Sequence, residues 1–411
     1  MKTIAFYTLG CKANQYQTFG LQCQMTNDQC QMVDFNETAE VYVINTCTVT
    51  EDADRKSRQA IRRAIRQNPK AKVIVTGCYA KLNKNHLIKS FPKAEIIDIP
   101  NHLSTNPPNH LSGRVRVNLM IQDGCEHFCS YCIVPYARGR IKSKPLDQVM
   151  QEANCLVEAG AREIVLTGIN LGTYGKNVGT TFMVVRNEQT GINPVPTLPD
   201  VLRELSKIDN LYRIRLSSLE PMYIDKALID AVAETPKACH HLHIPLQSGD
   251  DQILKSMNRN YSRKEYLELI NYVRKKIPDC GITTDIIAGF PGEGEREFQN
   301  TVDVINEVRF SRLHIFTYSA RKGTPAADFP KQVDEKTRKK RSQILHTLRA
   351  KHMLEFAGQY LNREVEILVE QKGEGLTSNY IRCFFDDPAD SSGNIKKILA
   401  KFVTNSGEIR E

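Results

Sequence analysis

The stretch DGCEHFCSYC, residues 123–132, carries three cysteines, Cys125, Cys129 and Cys132, in the spacing C-x3-C-x2-C. It follows a candidate strand over residues 114–121, so the cysteines lie in the loop after that strand. Thiolates this close in sequence can surround one metal centre, and three of them leave a coordination position open for a substrate or cofactor. The spacing favours an iron–sulfur cluster. Zinc is the alternative, because His127 lies inside the loop and could contribute a ligand.

The rest of the chain is typical of a large globular protein. Its 411 residues predict two or three domains, and the apolar fraction of 41% excludes a disordered or fibrous chain. Twelve cysteines favour metal or redox chemistry over disulfides in a reducing compartment. The net charge of +9 suggests a polyanionic partner. No apolar run approaches the ~18 residues of a membrane span, and the N-terminus lacks a signal-peptide core. A cytoplasmic protein without a membrane partner is expected.

Apolar runs alternate with helical patterns through most of the chain, which predicts an α/β fold with parallel strands. Residues 1–99 form the first predicted domain, with strands at 3–9, 41–45 and 73–76 and helices at 15–25 and 52–67. Residues 100–113, PNHLSTNPPNHLSG, predict a linker.

Residues 114–345 form the second predicted domain. Its candidate strands lie at 114–121, 163–167, 212–217, 241–245, 282–287 and 312–318. Helical patterns follow most of them, at 146–158, 199–207, 224–234, 263–276 and 295–308. Six β/α units predict a parallel sheet curled into a barrel or partial barrel. Residues 172–196 fit poorly and predict a loop insertion.

The C-terminal region, residues 346–411, is predicted to complete a long basic helix over 334–359 and to add a small antiparallel β-barrel. Its candidate strands are residues 364–370, 377–384 and 397–404.

A second cysteine set follows the three N-terminal strands. Cys11, Cys47 and Cys78 each come within about two residues of a strand end, and glycine precedes the first and the last. Because the carboxyl ends of parallel strands share one edge of a sheet, these cysteines can converge. The alternative is three buried structural thiols. The other six cysteines show no such placement.

The C-x3-C-x2-C loop, with Tyr131 just before the last cysteine, resembles the signature of radical S-adenosylmethionine (SAM) enzymes. The resemblance implies a (β/α)6 partial barrel in which Cys125, Cys129 and Cys132 hold a [4Fe–4S] cluster that binds SAM. It also implies that reductive cleavage of SAM gives a 5′-deoxyadenosyl radical, with electrons from a donor such as flavodoxin or ferredoxin.

The two cysteine sets together resemble the methylthiotransferase family. That resemblance implies an auxiliary [4Fe–4S] cluster on Cys11, Cys47 and Cys78, two SAM molecules per turnover, and a C-terminal TRAM module that binds nucleic acid. The segment LGCKANQY, residues 9–16, is most similar to the branch that methylthiolates C2 of N6-threonylcarbamoyladenosine at position 37, next to the anticodon of tRNA. Alternatives are isopentenyladenosine in tRNA, a ribosomal-protein aspartate, and a zinc-stabilised RNA-binding protein without catalysis.

Polar or glycine-rich strand ends of the barrel complete the candidate site. The family resemblance implies that they lie near SAM and the substrate, although turn formation or helix capping explains any one of them equally well. They are Tyr131, Gly168, Asn170, Ser218, Glu220, Gln247, Asp285 and Gly289. His243 and His314 are interpreted as core histidines. Basic helical faces, including Arg55, Arg58, Arg62 and Arg66, favour a phosphate-binding surface for the tRNA anticodon loop.

Overall fold

The computed structural model describes residues 2–25, 30–98, 111, 113–176, 195–386 and 392–411. Most of the predicted 100–113 linker and of the predicted 172–196 insertion lies outside the described residues. The domain boundaries given above therefore stay predictions.

The N-terminal part is a parallel sheet with helices on its faces. Its elements are β1 (Lys2–Thr8), α1 (Lys12–Met25), β2 (Cys30–Val33), β3 (Val41–Thr46), α2 (Glu51–Gln67), β4 (Lys72–Gly77), α3 (Cys78–Leu82), α4 (Lys84–Ser90) and β5 (Ala94–Ile96). The strand order is β2-β1-β3-β4-β5, with every pair parallel. The three predicted strands are confirmed. The edge strands β2 and β5 were missed because they have only four and three residues and bury none of them fully.

The central part begins with β6 (Arg116–Met120) and a small antiparallel pair that frames the cysteine loop. Its remaining elements are β7 (Gln122–Asp123), α5 (Val134–Arg138), β8 (Lys142–Ser143), α6 (Leu146–Glu158), β9 (Glu163–Thr167), α7 (Leu198–Leu205), β10 (Arg213–Leu216), α8 (Lys226–Glu234), β11 (His241–His243), α9 (Asp251–Ser256), α10 (Arg263–Lys276), β12 (Gly281–Ala288), α11 (Glu295–Val308), β13 (Arg312–Thr317) and α12 (Glu335–Gly358). All six predicted barrel strands are present.

These six strands form a curled parallel layer. β6, β9 and β10 pair in one sheet and β11, β12 and β13 in another. Isolated parallel bridges from Ile214 to Ala238 and from Ser218 to His243 join the two sheets through β10 and β11. The result is the predicted (β/α)6 partial barrel, with its apolar side chains buried under the surrounding helices.

The C-terminal part is a curled six-stranded sheet. Its strands are β14 (Glu364–Gln371), β15 (Glu374–Thr377), β16 (Arg382–Phe384), β17 (Ile395–Leu399), β18 (Phe402–Val403) and β19 (Ile409–Arg410), in the order β17-β14-β15-β16-β19-β18. All pairs are antiparallel except β16 with β19.

The predicted strand over residues 397–404 is divided between β17 and β18 in the structure. The predicted strand over residues 377–384 is also wrong in extent. The chain turns within it, since Tyr380 has a φ of +75° and the Thr377 hydroxyl accepts a 2.8 Å hydrogen bond from the Ile381 amide. A positive φ interrupts an extended strand, so β15 and β16 are separate.

Both terminal parts pack directly on the barrel. Ala13 and Tyr16 of α1 belong to the barrel's hydrophobic core, and the Tyr16 hydroxyl donates a 2.7 Å hydrogen bond to Glu152. From the other side, Arg215 of β10 donates to the Ser378 carbonyl at 2.9 Å and pairs with the fully buried Glu163 at 2.6 Å. Within the described residues, no helix combines the length and apolarity that crossing a bilayer requires.

Candidate active site

The first cysteine set lies in the loop between β7 and α5. Gly124, directly before Cys125, has a φ of +78°, and a Cβ there would lie 1.9 Å from the Arg140 carbonyl oxygen. Glycine is therefore required for the chain to enter the loop. The Cys125 amide donates to the Gly139 carbonyl at 3.0 Å, and the Cys132 amide donates to the Cys129 carbonyl at the same distance. These bonds fold the three cysteines around one space.

The loop is held from outside by the segment after α9. The Ser130 amide donates a 3.0 Å hydrogen bond to the Met257 carbonyl, and the Ser130 hydroxyl donates a 2.8 Å hydrogen bond to the Ser256 carbonyl. Asn258 donates to the Phe128 carbonyl at 2.9 Å. The cysteine positions are thus fixed by the barrel as well as by the loop itself.

The sulfur atoms of this set have polar neighbours. The Nη1 of Arg259 lies 3.5 Å from the Cys129 sulfur, and the same guanidinium group pairs with Glu220. The Asn170 side-chain nitrogen lies 4.0 Å from the Cys125 sulfur. Burial raises the pKa of Cys125 to about 11. Thiols in such surroundings ionise when a metal centre replaces the proton.

The second cysteine set is also assembled as the strand ends predict. Cys11 follows β1, Cys47 follows β3 and Cys78 follows β4. Gly10 has a φ of +101°, and a Cβ on it would lie 3.0 Å from the Cys47 sulfur. Burial raises the pKa of Cys47 to about 11, and the nearby Cys78 and Cys11 add to that rise. The three thiols therefore face one another across the sheet edge.

Arg138, at the end of α5, joins the second cysteine set to the segment that leads into the first cysteine loop. Its Nε donates a 3.2 Å hydrogen bond to the Cys78 sulfur, and its Nη1 lies 3.5 Å from an Asp123 carboxylate oxygen. Nη2 donates to the Asn14 side-chain oxygen. Arg138 is 5% exposed, so the guanidinium is enclosed between the first loop and the N-terminal sheet.

The spacing of the sulfur atoms tests which metal centre fits. Of the residues that the structure describes, the group with three ligand atoms mutually within 4.8 Å is His243, Asp285 and His314; neither cysteine set meets that spacing. A single tetrahedral zinc with Zn–S bonds of about 2.3 Å needs sulfurs roughly 3.8 Å apart. Three thiols in each set are the donors that iron–sulfur clusters use.

The predicted cofactor residues on the β6 and β9 side lie beside the first cysteine set. A Cβ on Gly168 would lie 2.7 Å from the Gln122 side-chain oxygen, which accepts a 2.8 Å bond from the Asn170 amide. The Asn170 side-chain oxygen is buried without a partner, which leaves an acceptor for a ligand donor. Glu220 pairs with Arg259, which in turn contacts Cys129 of the first cysteine set. The Tyr131 ring packs edge-on against the Phe290 ring.

The other predicted residues lie farther around the barrel. Ser218 forms an isolated parallel β-bridge with His243. Gln247 has a φ of +64°, and its backbone amide donates a 2.8 Å hydrogen bond to the Asp285 carbonyl. Asp285 lies 3.2 Å from His243 and 3.3 Å from His314. Despite burial, these hydrogen bonds hold the pKa of Asp285 well below its usual range.

Gly289 lies against α12, and a Cβ on it would lie 2.2 Å from the Cγ of Arg338. In the structure, therefore, this glycine makes room for a helix.

Three residues near the cysteines were missed from the sequence. Arg138, Arg259 and Gln122 meet the site only through folding, because their partners lie 60, 130 and 48 residues away in the chain. The one available signal is the position of Arg138, six residues after Cys132 in the same segment.

Part of the predicted basic surface serves the fold. Arg58 and Arg62 of α2 lie 5.8 Å above the rings of Tyr79 and Phe91, and Arg341 of α12 pairs at 2.9 Å with the buried Glu293. These side chains already contact other groups of the protein, so they are less available to bind phosphate than their sequence pattern indicates.

A six-stranded parallel partial barrel with a C-x3-C-x2-C loop after its first strand defines the radical SAM class, and residues 119–305 match the Radical SAM superfamily. Residues 3–98 match the family described as "Uncharacterized protein family UPF0004". A radical SAM methyltransferase from Kitasatospora setae, TsrM, shares the fold with a TM-score of 0.54 at 14% identity, covering 79% of this chain and 77% of that one.

Similarity to curated proteins extends over almost the whole chain. A threonylcarbamoyladenosine tRNA methylthiotransferase from Bacillus subtilis is 38% identical over 99% of this chain and 96% of its own length. A tRNA-2-methylthio-N(6)-dimethylallyladenosine synthase from Alkaliphilus oremlandii is 34% identical over 88% and 81%. The chain belongs to the radical SAM methylthiotransferase family, and SAM and a [4Fe–4S] cluster are the cofactors of that class.

Proposed function

We propose that this protein transfers a methylthio group to C2 of N6-threonylcarbamoyladenosine at position 37 of tRNA. The observation that carries the proposal is the pair of cysteine sets, with Arg138 bonded to Cys78 of the second set and paired with Asp123, two residues before the first. The Bacillus subtilis relative, similar from end to end, carries this activity in its name. An enzyme that only cleaved SAM would have no use for the second set.

The two sets have different tasks in this proposal. Cys125, Cys129 and Cys132 hold the cluster that binds SAM, and Cys11, Cys47 and Cys78 hold an auxiliary [4Fe–4S] cluster. When bound, these groups supply a 5′-deoxyadenosyl radical and a sulfur that accepts the methyl group. Two SAM molecules serve each turnover, one for the radical and one for the methyl group.

The chain's own residues position these groups. Asn170 and Glu220, beside the first set, offer an amide and, through Arg259, a charged network for the polar parts of SAM. Arg138 holds the N-terminal sheet against the segment that leads into the first cysteine loop, by bonding Cys78, Asp123 and Asn14 at once. Gly168, Ser218, Gln247, Asp285, Gly289 and Tyr131 complete the proposed surroundings of SAM and substrate.

The curled C-terminal sheet is proposed to bind tRNA as a TRAM-like module. Its Phe402 side chain is 66% exposed, next to the exposed Lys401, so an aromatic ring and a cation lie together on the surface. Rings and cations of this kind bind bases and phosphates of RNA loops. The target base must leave its stack to reach the barrel, which costs least in a loop. Electrons are proposed to come from a protein donor such as flavodoxin or ferredoxin, in the cytoplasm.

The experiment compares cells with and without the gene by mass spectrometry of tRNA nucleosides and of the ribosomal protein. The proposal predicts that 2-methylthio-N6-threonylcarbamoyladenosine disappears on deletion, that its unmethylthiolated precursor accumulates, and that the wild-type gene restores the product. Loss of the isopentenyladenosine derivative or of the ribosomal-protein modification instead would assign the protein to one of the other branches. Unchanged modification in all three would contradict the family function for this chain.

A further inference from the structure

A cavity of about 580 Å³ lies between α1, β6 and the inner face of the barrel. Lys12, directly after Cys11, lines it together with Arg114, Arg116, Arg215 and Tyr380. This size is ordinary for a site that encloses a small organic group or a nucleoside. Thr8 and Gln15 also line the cavity, so it reaches the strand end that carries Cys11.

The cations of the cavity differ in how they are paired. Arg215 is bonded to Glu163 at 2.6 Å and Arg116 to Glu370 at 2.6 Å, so each of these guanidinium groups has a carboxylate partner. Within the described part of the chain, no carboxylate forms an ion pair with Lys12 or Arg114. The cavity therefore keeps an excess of positive charge, which favours an anionic ligand.

A further observation indicates that the positive charge of these side chains faces the cavity. Tyr380, whose ring stacks on His241 with centroids 4.5 Å apart, lies among the same cations. Although burial by itself raises the pKa of Tyr380, Lys12, Arg116 and Arg215 hold it below its ordinary value.

We infer that Lys12 binds the carboxylate of the threonylcarbamoyl group on the substrate base and so selects that substrate over an uncharged one. This inference rests on the proposed function and names the residue behind its substrate choice. The threonylcarbamoyl group ends in a carboxylate, which is ionised at neutral pH, whereas a dimethylallyl group has no charge. Its attachment point on the adenine ring, C6, is separated from the reacting C2 by a single nitrogen. A carboxylate held by Lys12 therefore keeps C2 close to Cys11 and the second cysteine set.

The experiment measures binding of anticodon stem-loop RNA to the reconstituted protein. Two RNAs are compared, one with N6-threonylcarbamoyladenosine and one with the same group ending in a carboxamide. A charge-assisted hydrogen bond predicts that the wild-type protein binds the carboxylate RNA about ten- to a hundredfold more tightly. Equal Kd values for the two RNAs would overturn the inference, whatever any variant does.

Variants then assign the discrimination to one residue. Lys12→Gln should bind both RNAs equally, and Lys12→Arg should keep most of the preference. Lys264→Gln, which removes a lysine that is 86% exposed on α10, is the matched control and should behave as the wild type. Iron content is measured for each variant, because Lys12 neighbours Cys11. Full carboxylate preference in Lys12→Gln would also overturn the inference.

The failures of the inference and of the proposed function are distinguishable. If the wild-type enzyme methylthiolates the threonylcarbamoyl RNA but Lys12→Gln keeps its preference, only the role of Lys12 is wrong. If the wild-type enzyme makes no methylthio product from that RNA, the proposed function itself is wrong.

Discussion

The Nε of Arg138 donates a 3.2 Å hydrogen bond to the sulfur of Cys78. Arg138 ends α5, the helix after the first cysteine loop, whereas Cys78 directly follows β4 of the N-terminal sheet. A single buried side chain thus contacts the second cysteine set and also Asp123, two residues before the first set. The bond places a positive charge against a thiolate that would ligate the auxiliary cluster.

Removing this hydrogen bond should lower the reduction potential of the proposed auxiliary cluster. Hydrogen bonds to ligand sulfur stabilise the reduced, more negative cluster. Arg138→Ala should therefore shift the potential downward, by on the order of tens of millivolts for one charge-assisted bond, and Arg138→Lys should shift it less. The measurement is a redox titration followed by electron paramagnetic resonance, with Cys125, Cys129 and Cys132 replaced by alanine so that one cluster remains. An unchanged potential would mean that Arg138 does not contact the occupied site.

Gly10→Ala should prevent assembly of the proposed auxiliary cluster. Its new Cβ would lie 2.9 Å from the Cβ of Cys47 and 3.0 Å from the sulfur. Gly160→Ala is the matched control, since Gly160 has a similar φ of +110° but open space around its Cα. Both variants carry the backbone strain of a left-handed alanine, about 1 kcal/mol. Iron analysis after reconstitution should show about half of the wild-type iron for Gly10→Ala and full iron for Gly160→Ala; equal iron in the two would refute the close approach.

Glu163→Gln should destabilise the barrel and its contact with the C-terminal sheet. Arg215 and Glu163 are 1% and 0% exposed, and Arg215 also donates to the Ser378 carbonyl. Removing one partner of a buried ion pair costs about 3–5 kcal/mol, because the other charge stays buried. Glu204→Gln, which removes an exposed pair with Lys207, should cost less than about 1 kcal/mol. Urea unfolding measures both, and similar small losses would contradict a structural role for the buried pair.

Local signals in the sequence predicted the barrel strands and both cysteine sets. The periods of two and 3.6 residues are strong where an element is long, as in α6, α10 and α11, whose predicted bounds match the structure. The convergence of Cys11, Cys47 and Cys78 followed from the geometry of parallel strand ends alone.

The remaining features depend on contacts between distant segments. Arg138 reaches Cys78 across 60 residues and Arg259 reaches Cys129 across 130, and no local pattern encodes such pairs. The basic faces of α2 and α12 show that a clear local pattern can also predict a role that the fold does not leave open. Their charge pattern predicts an RNA surface, but packing turned Arg62 and Arg341 towards Phe91 and Glu293.

The most direct test of the account is the reaction of Cys78→Ala with SAM, a chemical reductant and tRNA that contains N6-threonylcarbamoyladenosine. The wild-type protein should form both 5′-deoxyadenosine and the methylthio nucleoside, as should the control Cys155→Ala, whose cysteine lies in α6 outside both sets. Cys78→Ala should still form 5′-deoxyadenosine but no methylthio nucleoside, because the first cysteine set is intact and the second is not. Methylthio product from Cys78→Ala, or none from the wild type, would contradict the account.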